Sequence, residues 1–113
     1  MATLRIYTGD DGRTHFEEIE GLFTASGARD AAAYQPTTGI MFRHTTGETF
    51  MDWHGAPQRQ YVIILSGEME VEIGDGSKRR LVAGDVLLAE DTTGQGHITR
   101  GWGDRRIAII PLA

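Results

Sequence analysis

The sequence predicts a single all-β domain, a barrel or sandwich assembled from short strands. Three observations carry that expectation. From Thr38 onward, apolar residues come in short alternating or β-branched runs rather than at helical spacing. Those runs are separated by turn residues at roughly eight-to-twelve-residue intervals. Fifteen glycines in 113 residues supply many turn points, which suits strands and tight turns better than helices.

Taken in order, Leu4-Arg5-Ile6-Tyr7 alternates apolar and polar side chains and reads as a first strand, ended by Gly9-Asp10-Asp11-Gly12. Residues 15–23 read as a helical turn or an irregular arm. Residues 31–36 are a connecting loop, because Pro36 pushes its predecessor toward extended geometry. Residues 39–44 then form a strand that turns through Thr45-Thr46-Gly47-Glu48, and Thr49–His54 is the next. The loop Gly55-Ala56-Pro57 leads through Gln60 into the apolar run of residues 61–65, which Ser66-Gly67 closes as a turn. Residues 68–73 give the clearest period of two, with Met69, Val71 and Ile73 facing inward and Glu68, Glu70 and Glu72 facing water. Gly74-Asp75-Gly76-Ser77 is a hairpin signal. Residues 79–82 return, and Ala83-Gly84-Asp85 turns into residues 86–89. After a polar loop, residues 90–96, the chain resumes at His97-Ile98-Thr99. It ends in a strand over residues 105–111, where Pro111 suits a strand end.

Composition excludes several classes. Hydrophobic residues at 40% and charged residues at 24% describe a globular chain. A net charge of −5 argues against a nucleic-acid surface, and the one basic cluster, Lys78-Arg79-Arg80, reads as a solvated turn or edge strand. With no cysteine there is no disulfide, thiolate metal site or thiol nucleophile. No apolar run approaches the roughly 20 residues of a membrane span, and the N-terminus carries no run of signal-peptide length. The expectation is a cytoplasmic protein with no membrane or nucleic-acid partner.

The stretch from Asp52 to Glu68 resembles the first motif of the cupin superfamily: a Gly, then His-x-His, a short spacer, Glu, a longer spacer and a closing Gly. On this chain His54 takes the first His position, Ala56 the second, Gln60 the Glu position and Gly67 the last Gly. A second motif is matched in part: Gly84-Asp85 opens it, Gly94-Gln95-Gly96-His97 gives its Gly-x-x-His core, Thr92 stands where Pro is usual, and Gly101 stands in place of Asn. The resemblance covers about residues 38–110. It implies a double-stranded β-helix (jelly-roll) barrel over residues 38–113, with residues 1–37 as an N-terminal strand and arm packed on it. Exposed strand edges near that arm make a homodimer the expected assembly.

The resemblance further implies that His54, Gln60 and His97 converge inside the barrel. Two imidazoles and an oxygen donor suit one divalent transition metal, Mn, Fe, Ni or Zn. Asp52 shares a face with His54 at a two-residue offset; it either restores a negative ligand, orients His54 or lies at the rim. Without metal, His54 and His97 form an acid/base pair, because imidazole changes charge near neutral pH, and Gln60 becomes a hydrogen-bonding handle for substrate. Phe50, Val62, Asp52 and Trp102 are the expected substrate-binding residues. Trp102, between two glycines, is a lid or a turn aromatic. Acidity at Glu90-Asp91 lies near His97 in sequence and reads as a solvated loop or as a charge partner for the imidazole. The expected function is binding of a small organic ligand. Metal-assisted or histidine-mediated lyase or isomerase chemistry on a carbonyl compound is the leading form; a non-catalytic ligand sensor or a structural module is the alternative.

Overall fold

Two long antiparallel strands form the spine of the structure, a computed structural model that describes residues 1–24 and 33–113. They are β5 (Gln60–Glu72) and β8 (His97–Pro111), paired almost along their whole length from Gln60↔Pro111 to Glu72↔Ile98. Around them lie β1 (Thr3–Thr8), β2 (Thr14–Glu18), β3 (Met41–Thr45), β4 (Thr49–His54), β6 (Lys78–Val82) and β7 (Val86–Glu90), with no helix among the described residues.

Each spine strand serves two neighbours on its free edge. The first part of β5 pairs with β7 and the last part with β6. Likewise β8 pairs with β4 over Thr49↔Gly101 to His54↔His97, and with β3 over Met41↔Ile109 to Thr45↔Arg105. Such a ribbon must bend midway, and two register shifts on either side of Ser66 do that, the first with an extra residue in β5 and the second with extra residues in β8. Gly67 sits at the bend with φ of 79°, and a Cβ there would stand 2.5 Å from the Asp104 carbonyl oxygen. Ser66-Gly67 therefore kinks one continuous strand; the turn expected there is corrected. Gly101-Trp102-Gly103, expected as a loop, lies within β8, with Trp102 opposite Glu68.

The N-terminal segment joins the sheet. β1 pairs in parallel with β7 and antiparallel with β2, giving the order β2-β1-β7-β5-β8-β3. The first part of the segment expected as a helical turn or arm is thus strand β2. Of the loop expected over residues 31–36, Ala31 and Ala32 lie outside the described residues.

The core is aliphatic: Leu4, Ile6, Val62, Ile64, Val71 and Leu81 are buried together. Each contributes about 1.5–3 kcal/mol by leaving water. The expected inward positions hold at Val71 in β5 and at Ile73 just past its end, both buried. The basic cluster is matched across strands: Lys78 with Glu72, Arg79 with Glu18 and Arg80 with Glu68. By contrast, the wall made by β3 and β4 leaves Phe42, Phe50, Met51 and Trp53 exposed.

Candidate functional site

A cavity of about 690 Å³ opens between β3, β4, β5 and β8, with the 55–58 loop at one side. That volume is in the range of small-molecule sites. Strand register brings two histidines into it. His54 ends β4 directly opposite His97, the first residue of β8. Gly96 makes the approach possible: its φ is 77°, and a Cβ there would lie 2.1 Å from the His54 carbonyl oxygen. The two rings stand with centroids 4.4 Å apart, inclined by 55°.

Each ring is held through Nδ1 by a partner. His54 Nδ1 lies 2.7 Å from the Asp52 backbone carbonyl oxygen, which only accepts, so Nδ1–H donates. His97 Nδ1 lies 2.5 Å from Asp91 Oδ2, and an ionised carboxylate likewise only accepts. Both rings are therefore set as Nδ1–H tautomers. Their Nε2 atoms, with no protein partner among the described residues, are left for chemistry.

Asp91 is 0% exposed and His97 6%. Besides His97, Oδ2 of Asp91 accepts from the Thr14 hydroxyl at 2.9 Å, while Oδ1 has no hydrogen-bond partner among the described residues. Buried carboxylate oxygens are normally satisfied, and an orphan one costs about 1–3 kcal/mol. The neighbouring Glu90 belongs to a different system. Burial pushes its carboxyl up, but hydrogen bonds from Arg5 and Arg59 outweigh that and hold it below the usual carboxylate range. The acidic loop read as a unit from sequence thus splits into a surface ion-pair residue and a buried anchor for His97.

Of the residues singled out in the sequence, His54, Gln60, His97, Phe50 and Val62 line the cavity. Asp52 does not. The register shift between Met51 and His54 breaks the alternation that placed Asp52 beside His54, so Met51 faces the cavity along with Phe50. The Asp52 carboxylate instead accepts the Trp53 backbone N–H at 2.9 Å. What Asp52 gives the site is its backbone carbonyl, which orients His54. Trp102 is also outside the cavity; it borders a shallow neighbouring pocket, with the Arg80 guanidinium 5.6 Å above its ring. His44, near the site strand in sequence, pairs with the exposed Asp104 and holds that carboxyl below its usual range.

Sequence reasoning missed Thr14, Arg43 and Arg105; of the two readings open for Asp91, a solvated loop or a partner for the imidazole, the contact with His97 is the second. Arg43 was legible, since it alternates with Met41 and Thr45 on one face of β3. Thr14 and Asp91 are 77 positions apart, and no local pattern connects them.

The donors fit a resident divalent metal poorly. Among the described residues no three His, Asp or Glu side chains are grouped to hold one. His54, His97 and the neutral Gln60 supply no negative charge, Ala56 supplies no ligand, and Arg43, Arg100 and Arg105 line the same cavity.

No protein-family model matches the sequence, and no curated protein matches it. Solved structures do. A conserved protein of unknown function from Streptococcus pyogenes is 18% identical over 70% of this chain and 67% of its own, with a TM-score of 0.52. A protein from Neisseria meningitidis is 16% identical over 80% of this chain and 99% of its own, at 0.51. A cupin 2 conserved barrel domain protein from Leptotrichia buccalis is 15% identical over 73% of this chain, at 0.53, and this chain spans 38% of that one. The bent β5–β8 ribbon, the strands that flank it and these likenesses together give the chain the fold of a small cupin domain.

Proposed function

We propose that the protein is an enzyme that moves a proton on a small carbonyl compound, in a lyase- or isomerase-type reaction carried by His54 and His97 without a resident metal. The observation that carries this reading is the fixed pair of Nδ1–H imidazoles at one cavity. A ring in its neutral form takes a proton from the carbon beside the carbonyl through Nε2. The other, in its protonated form, donates through Nε2 to the carbonyl oxygen or to the adjacent carbon. The carboxylate of Asp91 fixes the His97 ring, and the Gln60 amide orients the substrate oxygen. The buried orphan oxygen of Asp91 supports a role beyond packing, since an apolar residue there would avoid its cost.

The test is solvent-deuterium exchange into the α-carbon of small ketones and keto acids, followed by proton NMR. The expected outcome is exchange that His54→Ala and His97→Ala each slow by about 10²-fold or more, with the fold intact by circular dichroism. Exchange as fast in both variants as in the unaltered protein would remove the assignment.

A further inference from the structure

The cavity carries a charge pattern that the histidine pair does not use. The chain is acidic, with 16 Asp and Glu against 11 Lys and Arg, yet among the described residues no acidic side chain lines the cavity and three arginines do. Arg100 is balanced by Glu70 and Glu72. The other two have no carboxylate partner among the described residues. Among the described residues the Arg43 guanidinium has one polar side-chain contact, the Met41 sulfur at 3.9 Å. Arg105 is 8% exposed, and its Nη1 donates to the Gly47 and Gly103 carbonyls while Nη2 donates to the Thr49 hydroxyl, all neutral groups.

A buried guanidinium surrounded by neutral acceptors is an unusual arrangement, because buried charges are normally paired. The fold makes room for it. A Cβ on Gly101 would stand 2.4 Å from the Arg105 guanidinium carbon, so only glycine at 101 lets the group lie where it does. Cross-strand register places Arg43 opposite Ile107 and Thr45 opposite Arg105, which makes the two arginines diagonal neighbours on the cavity face. Arg105 keeps its Nε–H and one Nη2–H unassigned, donors spaced for the two oxygens of a carboxylate.

We infer that Arg43 and Arg105 form an anion subsite that takes the carboxylate of a small organic acid, while the apolar cavity wall takes its carbon skeleton. This deepens the reading of the site given above: the substrate class becomes a small carboxylic acid, anchored by guanidinium and presented to the imidazoles. A phosphate group is the weaker candidate, since neither a helix N-terminus nor a glycine-rich phosphate cradle borders the cavity among the described residues.

Binding is measured on the full chain by amide and guanidinium NMR shifts. The probes are pyruvate and malonate, with methyl pyruvate as the neutral counterpart and inorganic phosphate as the other anion. Saturable binding of at least one carboxylate is expected, weakened roughly 10- to 100-fold in Arg43→Gln and restored in part by Arg43→Lys. Methyl pyruvate should bind far less. Arg43 is exposed, so its variants keep the fold; Arg105→Lys serves as the second variant, with circular dichroism as the check. Absence of saturable carboxylate binding, binding unchanged in both Arg43→Gln and Arg105→Lys, or a preference for phosphate would each overturn the inference. Carboxylate binding without any proton exchange leaves the anion subsite standing and removes the acid/base reading, so the two proposals fail separately.

Discussion

Replacing Asp91 by Asn separates the part this residue plays at His97 from its part in holding the fold. The carboxylate is fully buried, with two donors on Oδ2 and none on Oδ1. A hydrogen bond to a charged group contributes about 1.5–3 kcal/mol and a neutral one about 0.5–1.5, so the substitution weakens the contact to His97 by about 1–1.5 kcal/mol. In the other direction it removes a buried negative charge with an orphan oxygen, a relief of about 1–3 kcal/mol. The terms oppose, and the net change in stability should stay within about 2 kcal/mol, a shift in Tm of less than roughly 10 °C for a chain of this length. The effect on the ring is larger. An amide can turn either its oxygen or its NH2 toward Nδ1, and the second choice moves the ring proton to Nε2, the atom the chemistry needs bare. Long-range nitrogen-15 NMR of the imidazoles reads this directly. His97 in the unaltered protein should be the Nδ1–H tautomer, and Asp91→Asn should populate the Nε2–H form, with deuterium exchange falling about 10²-fold or more. An Nε2–H tautomer in the unaltered protein refutes the reasoning. So does an Asp91→Asn protein that loses more than about 4 kcal/mol of stability, because the carboxylate would then be holding the barrel rather than the ring.

Two other perturbations test the supports of the site. Gly96→Ala places a methyl against the His54 carbonyl at a positive-φ position, so a loss of about 2–4 kcal/mol and separation of the two rings are expected; an unchanged chemical-denaturation midpoint would contradict the close approach. Glu90→Gln tests the surface ion pairs with Arg5 and Arg59. Because the folded-state carboxyl is held below its unfolded value, its contribution is complete above about pH 5 and is lost as pH falls through the depressed folded value. Glu90→Gln should therefore be less stable than the unaltered protein at pH 7 and converge with it toward pH 3; a gap that does not change with pH would place the effect in packing.

How much of this could be read from the sequence depended on how local each signal was. The hairpin at Gly74-Asp75-Gly76-Ser77 and the alternation through Glu70, Val71 and Glu72 are carried by adjacent residues, and both appear as expected. His54, Gln60 and His97 were found through a spaced motif, and the cavity gathers all three. Glycine was the commonest source of error. A positive φ serves a turn and a bulge equally well, so Ser66-Gly67 read as the end of a strand that in fact continues through it. The Asp52 expectation failed because simple alternation cannot register a bulge. Asp91 was legible as a possible partner of His97, but its full burial was not, because that depends on Thr14, from a segment whose strand character shows only when β1 is beside it.

The spine also sets how far apart in the chain the two sides of the cavity lie. β3, β4, β6 and β7 each pair with β5 or β8, and those two strands meet across a chain separation that runs from Glu72↔Ile98 to Gln60↔Pro111. Joining the β8 side of the cavity, with β3 and β4, to the β5 side, with β6 and β7, requires that distant pairing, whose loop-closure entropy opposes it. Contacts of such long range predict slow folding for so short a chain. Because His97 opens β8 and stands opposite His54 at the end of β4, the pairing of these two strands is itself what completes the histidine pair.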